Sequence, residues 1–366
     1  MNNALSTFSG SYAPDDVQFL LRRLHGQAFV SVEDKEALIQ SGRHHYSEML
    51  SAEALPSARH LELFDAACEA NRARMAADCL RLAHLLAARR AGQITLVSLA
   101  RAGTPVGVIV KRLLQRVFHR HVVHYAVSIV RDRGIDEAAL RAILAHHVPA
   151  SIAFVDGWTG KGVIARELEM SVERFNMRHH VRIDPGLFVL SDLAGAAAHA
   201  ASDADYLIPS SILNATVSGL VSRTVAERDM GPDDFHGCLV YDEFAAHDRS
   251  RTFADDIAAA ALELAAAGTP APAAIDRERS AATSRECLRT IAQRYGIADV
   301  NLIKPGIGEA TRVLLRRVPR LLLLRDADAA DVAHLRLLAR EKDVPVVVDP
   351  TLPYQGVSLI RRKGDA

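Results

Sequence analysis

Apolar positions along the chain fall into two alternating patterns. Short, predominantly apolar runs recur at Ile94 to Val97, Ile152 to Val155, Leu187 to Leu190 and Leu321 to Leu324, most of them bounded by Gly, Pro or polar residues. Such runs are the profile of strands buried on both faces of a parallel sheet. Between them lie stretches with apolar residues at helical spacing, the longest from Leu61 to Arg90 and another, rich in Ala, from Asp255 to Ala267. His121 to Val130 alternates enough for a further strand, and Tyr12 to Leu24, with an acidic start, reads as an N-terminal helix or arm. The alternation predicts an α/β chain, a parallel sheet with helices on both faces. After Ala267 a Pro/Ala-rich segment, residues 268–279, cannot continue a helix. The expected division is a large domain over 1–267, this linker, and a smaller α/β domain over 280–361.

The strand ends carry the candidate chemistry. Ile152-Ala153-Phe154-Val155 closes on Asp156, followed by Gly157, Thr159, Gly160, Lys161 and Gly162 and then a helix from about Val163. Open α/β sheets bind ligands at the carboxyl ends of their strands, and glycines there let backbone N–H groups approach an anion. The sequence TGKG is not the Walker loop, which needs four residues between its first Gly and the Gly-Lys pair and a Ser or Thr after it. Ser98-Leu99-Ala100-Arg101-Ala102-Gly103 repeats the strand, loop and helix order, with Arg101 placed to meet an anion. Arg131 and Arg133 flank Asp132 at the end of another strand; they can grip an acidic group or form a solvated turn. Ser210, Ser211 and Asn214 lie in a stretch dense in small polar residues that can line a pocket.

Length and charge narrow the classes. The 366 residues suffice for two domains, and 44 basic against 44 acidic residues give no overall bias toward anionic partners. No apolar run approaches a membrane span and the N-terminus lacks a signal-peptide pattern, so a cytoplasmic location without membrane association is expected. Cys68, Cys79, Cys238 and Cys287 are scattered, without the spacing of a zinc site. Cys238 reads as a buried small residue or as a nucleophile in need of a histidine base. His236 does not supply that base by proximity alone, since i and i+2 in a strand lie about 6 to 7 Å apart. His44, His45 and Tyr46 read as a polar loop.

The Asp156 stretch resembles the PRPP-binding signature of type I phosphoribosyltransferases, with Gly157 at the usual second acidic position. The Ser98 to Gly107 loop is similar to that family's pyrophosphate loop. Farther on, Lys304-Pro305-Gly306-Ile307-Gly308-Glu309-Ala310-Thr311-Arg312 is similar to the Pelota and L7Ae type of RNA-binding α-β-α sandwich, in which an Asn-Glu-x-x-Lys pattern meets RNA. Together the two halves resemble the phosphoribosyltransferases of tellurite and stress-resistance operons, a family whose members are also named StiP-type cysteine proteases.

The resemblance implies PRPP and Mg2+ as the sugar-donor complex and a nucleobase-like acceptor, giving a nucleoside-like stress metabolite. Asp156 would hold the ribose or its metal, Gly157 and Thr159 to Gly162 the 5'-phosphate, and Ser98 and Arg101 to Gly103 the pyrophosphate. Arg131 or Arg133 would close over it, and the acceptor would sit near Ser210, Ser211, Asn214 or His236. Structured RNA would meet Lys304, Gly306, Gly308, Glu309, Thr311 and Arg312. A StiP-type cysteine protease using Cys238 is the alternative, a non-catalytic nucleotide or RNA sensor the second alternative, and assembly as a homo-oligomer is left open.

Overall fold

A computed structural model describes residues 7–26, 29–31, 34–35, 38–39, 41, 45–226, 230–268 and 274–361. Of the positions singled out above, His44 and the linker residues 269–273 lie outside the described residues.

The large domain is built on one sheet in the order β1-β4-β3-β6-β7-β8, formed by β1 (Gln18–Leu20), β3 (Ile94–Ala100), β4 (Val122–Val130), β6 (Ile152–Thr159), β7 (Leu187–Asp192) and β8 (His199–Ser202). All of these pairings are parallel, and β5 (Gly134–Ile135) adds an antiparallel step beside β4. β2 (Arg22–Arg23) stands apart from this sheet. Period-two alternation sends successive side chains to opposite faces. Leu96, Ala153, Val155, Phe188 and Leu190 pack under α1 (Ala58–Arg89) and α2 (Gly103–Arg116), whereas Val97, Leu99, Phe154, Leu187 and Val189 pack under α3 (Glu137–Leu144) and α4 (Val163–His179). The expected mixed α/β architecture with a parallel sheet between helices is therefore present. The strand order is general to open α/β sheets and does not single out the phosphoribosyltransferases.

Two expectations about elements are corrected. Residues 12–24 form no helix: Phe19 and Leu21 alternate into one core while Leu20 faces the other, and β1 pairs with the edge of β4. Periodicity of two outweighs the acidic start. The Asp156 strand does not end at Asp156 but runs to Thr159, because Trp158 and Thr159 still pair with Ser191 and Asp192 of β7.

After the cross-strand pairing of β2 with β9 (Gly237–Cys238) and helix α5 (Ser250–Ala267), α6 (Arg277–Tyr295) opens the smaller domain. Its sheet runs β10-β13-β11-β12, from β10 (Ile303–Pro305), β11 (Pro319–Leu324), β12 (Val346–Val348) and β13 (Gly356–Ile360). Cys287 and Ile291 of α6 cover one face, with Leu323, Val357 and Leu359. Leu322 and Leu324 face α7 (Ile307–Arg316) and α8 (Ala333–Glu341) on the other.

That second face does not close on itself. Ile307, Ala310, Leu314 and Leu335 share one continuous apolar core with Met75 of α1 and with Tyr206 and Ile208. Each of the buried Ile, Leu and Met side chains contributes about 1.5 to 3 kcal/mol. The smaller domain is thus fused to the larger through core, against the carboxyl ends of the sheet strands. No helix among the described residues is long and apolar enough to cross a membrane.

Candidate functional site: a cationic cleft between the domains

In strand order β4-β3-β6, the chain leaves β3 toward one side and returns on the other, so a crevice opens at the carboxyl ends of β3 and β6. Three adjoining cavities of 230, 160 and 260 Å3 fill it, joined through shared walls at Arg101, Asn214, Asp156, Trp158 and Arg312. The roof comes from the smaller domain. Trp158, the chain's single tryptophan, lies under Arg312, whose guanidinium carbon is 4.5 Å from the ring centroid. Gly308 permits this closeness: a β-carbon there would sit 2.4 Å from the Trp158 ring.

Charge in the cleft is lopsided: among the described residues nine Lys and Arg side chains line it against Glu53, Asp156 and Glu309. Asp156 accepts from Gly157 N at 2.8 Å, yet burial pushes its carboxyl up to about 6, with Arg312 pulling the other way. Burial likewise draws the Lys161 ammonium down to about 7, reinforced by Lys304. Burial pushes Glu309 upward as well, but Arg312, Lys304 and Lys161 outweigh it and hold its carboxyl below the usual range. Arg312 donates to Glu309 at 3.0 Å.

The structure gathers most of the residues expected from the first two loops. Arg101, Ala102, Asp156, Thr159, Gly160, Lys161, Gly162 and Arg131 line the cleft, together with Ser210, Ser211 and Asn214. Thr159 Oγ1 accepts from Gly162 N at 2.9 Å, and Gly162 at φ 70° starts α4. The loop is capped from above, however. Lys161 Nζ donates to Val300 O at 2.7 Å, and a β-carbon on Gly160 would meet Pro305 O at 2.8 Å. Gly103 packs on Val155 O at the start of α2, and Gly157 faces Ala102 O.

Three expected residues point elsewhere. Ser98 is wholly buried and bonds His124 Nε2 at 2.9 Å, a core pair that also ties His124 Nδ1 to Asp16 O. Arg133 donates to Ala226 O at 3.0 Å and pairs with Glu48, so of the two strand-end arginines only Arg131 reaches the cleft. His236 is turned to Ser128 Oγ at 2.7 Å, and its backbone N donates to Asp136, which caps α3.

The residues expected to meet RNA are folded inward. Gly306 packs on Leu193, Gly308 on Trp158 and Glu309 over Gly160, while Lys304 and Arg312 line the cleft. Thr311 is fully buried, its hydroxyl donating to Ile307 O at 2.7 Å and lying 2.8 Å from His334 Nε2. Docking of α7 on the larger domain explains this placement. Sequence reasoning missed Glu53 and the cleft roles of Trp158, Arg223 and Arg316; the only local signal was that Trp158 is unique in the chain.

Cys79, Cys238 and Cys287 are buried and Cys68 half-buried, and burial pushes the thiols of Cys68, Cys238 and Cys287 up to about 12. Cys238 lies in β9 in register with Arg23. Among the described residues no group of three or more His, Cys, Asp or Glu side chains is arranged to hold a metal ion.

Residues 10–258 match the family described as tellurite-like stress resistance cysteine protease StiP, and residues 282–362 match the PELOTA RNA binding domain. Over 98% of its length the chain is 44% identical to a protein of Acinetobacter baylyi named cysteine protease StiP, covering 95% of that protein. These matches overturn the expectation of PRPP-dependent phosphoribosyl transfer and the magnesium-bound donor that went with it. Both the family and the relative carry a cysteine protease description, the reading that stood as the alternative.

Proposed function

The chain belongs to the StiP family of tellurite-like stress resistance cysteine proteases, and on that premise we propose that it cleaves acidic peptides held in the interdomain cleft. The observation that carries the reading is the 44% identity, over 98% of the chain, to a protein named as such a protease. Electrostatics choose the substrate: a partly desolvated cleft with nine cations against three carboxylates favours carboxylate-bearing segments and repels basic ones.

Cys238 is the nucleophile in this reading. Of the three cysteines inside residues 10–258, Cys79 sits on the buried face of α1, sealed in the core, and Cys68 lies beside Asp65 and Asp256, which oppose a thiolate. Cys238 has Arg23 beside it, which favours the thiolate against burial. The chain just after it backs the cleft wall, since Val240 bridges Val221, whose carbonyl accepts from Arg101 at 2.9 Å. With its thiol near 12, Cys238 is protonated in the closed state. Turnover therefore proceeds from a state in which the two-residue β2–β9 pairing parts and a histidine base reaches the sulfur. The PELOTA match supports an RNA interaction of the smaller domain, which in this reading uses surface other than the buried 304–312 segment.

The test is cleavage of Glu-rich against Lys-rich peptides by wild type, Cys238→Ala and Cys68→Ala. Preference for the acidic series, lost in Cys238→Ala and kept in Cys68→Ala, is the expected result; unchanged turnover in Cys238→Ala sinks the assignment. A companion prediction concerns the free protein. Because Cys238 is sealed in the folded chain, its alkylation by iodoacetamide at one pH, followed by peptide mass spectrometry, should be about tenfold or more slower in the native chain than in the urea-unfolded chain.

A further inference from the structure

Part of the cleft is not lined by the Thr159 to Gly162 loop, and there three guanidinium groups converge from three parts of the chain. Arg101 follows β3, Arg223 lies in the segment before β9, and Arg316 ends α7 of the smaller domain. Among the described residues the carboxylate paired with them is Glu53, with its Oε1 2.6 Å from Arg101 Nη2, while Asp156 lines the same cavity on the side of Arg312. Glu53 shows the imbalance: burial pushes its carboxyl up, yet Arg101 and then Arg316 bring it below the usual range. Arg316 donates from Nε to Asn214 Oδ1 at 2.9 Å, a neutral acceptor that orients the group without compensating its charge. Burial, reinforced by the like charge of Arg101 and countered by Tyr46, draws the Arg223 guanidinium down to about 10.

The donors also outnumber their acceptors. Arg101 Nε, Arg223 Nη1 and the hydroxyls of Ser210 and Ser211 are buried in the same wall and have no hydrogen-bond partner. Trp158 Nε1, beside them, has none either. Buried donors are almost always satisfied, and each one left without a partner destabilises the fold. A cluster of them, carrying a surplus of two positive charges, is built to receive an acceptor-rich group of opposite sign.

We propose that Arg101, Arg223 and Arg316, with Ser210 and Ser211, form a subsite for a doubly charged oxyanion group, completed by the smaller domain through Arg316. The class comprises phosphate monoesters and paired carboxylates, both of which offer several acceptor oxygens to convergent N–H and O–H donors. Glu53 and Asn214 are positioning residues, one steadying Arg101 and the other Arg316. This subsite is independent of which thiol, if any, is the nucleophile, because it concerns recognition alone.

The experiment uses the full chain and its single tryptophan. Trp158 emission is followed while inorganic phosphate or, separately, succinate is added at constant ionic strength, with calorimetry as a second readout. The expected result is a saturable response to at least one probe, weakened about 30-fold in Arg316→Met by loss of one charge-assisted contact and unchanged in Arg320→Met, an exposed arginine of the same domain. A response to phosphate only assigns the subsite to phosphate esters, to succinate only to carboxylates. Absence of saturable binding by either probe, or wild-type affinity in Arg316→Met, overturns the proposal. Should Arg316→Met not fold, Ser211→Ala serves instead, with several-fold weaker binding expected and unaltered binding counting against the site.

Discussion

Replacing Asp205 by alanine is expected to release the smaller domain from the cleft and to cost about 3 to 5 kcal/mol of stability. Asp205, in the larger domain between β8 and Tyr206, receives Ile307 N on one oxygen at 2.9 Å and Gln355 N on the other at 2.8 Å. Both donors belong to the smaller domain, one at the start of α7 and one just before β13. Alanine removes both acceptors and leaves two N–H groups at a part-buried interface unpaired. The neighbouring ties, Tyr354 hydroxyl to Leu193 O at 3.1 Å and Lys161 Nζ to Val300 O at 2.7 Å, are single bonds that do not replace a two-pronged clamp. Opening would lift Arg312 off Trp158, so its emission should shift to the red while the denaturant midpoint falls. A variant with unchanged emission and midpoint would show that the shared apolar core alone holds the domains together.

Asp156→Asn is expected to do the opposite at neutral pH, stabilising the fold by about 2 to 3 kcal/mol. Burial raises the Asp156 carboxyl to about 6 from an ordinary 3.8. Between those values the folded chain keeps a proton that the unfolded chain has already lost, so wild-type stability declines as pH rises through that window. Above about 6 the full cost of the buried carboxylate is present; below 3.8 it is absent in both states. Asparagine carries no charge, and its oxygen can still accept from Gly157 N, the 2.8 Å bond that Asp156 makes. Denaturant unfolding of wild type and variant at pH 4 and pH 7.5 should give curves that nearly coincide at the acid pH and separate at the neutral one. A difference independent of pH would mean that the carboxyl is not raised.

The sheet was readable in advance because burial on both faces writes itself into predominantly apolar runs. Ile94 to Val97, Ile152 to Val155 and Leu187 to Leu190 each became a parallel strand, and the loops after two of them met at the cleft. The N-terminal segment was misread because its period of two was short and its acidic start imitated a helix cap. The PRPP reading leaned on Thr159 to Gly162 as a motif; the matches to a protease family and relative corrected it.

From the sequence by itself came the α/β class, the place of Arg101 just after a strand, and the resemblance of the two halves to known families. Those properties are local, carried by periodicity and by residues adjacent in the chain. Only the tertiary structure decided that Glu309 and Arg312 face inward, that Glu53 and Arg223 join Arg316, and that Cys238 is sealed. Each of those outcomes depends on docking segments tens to hundreds of residues apart, and the shape of an interface leaves no period in the chain that forms it.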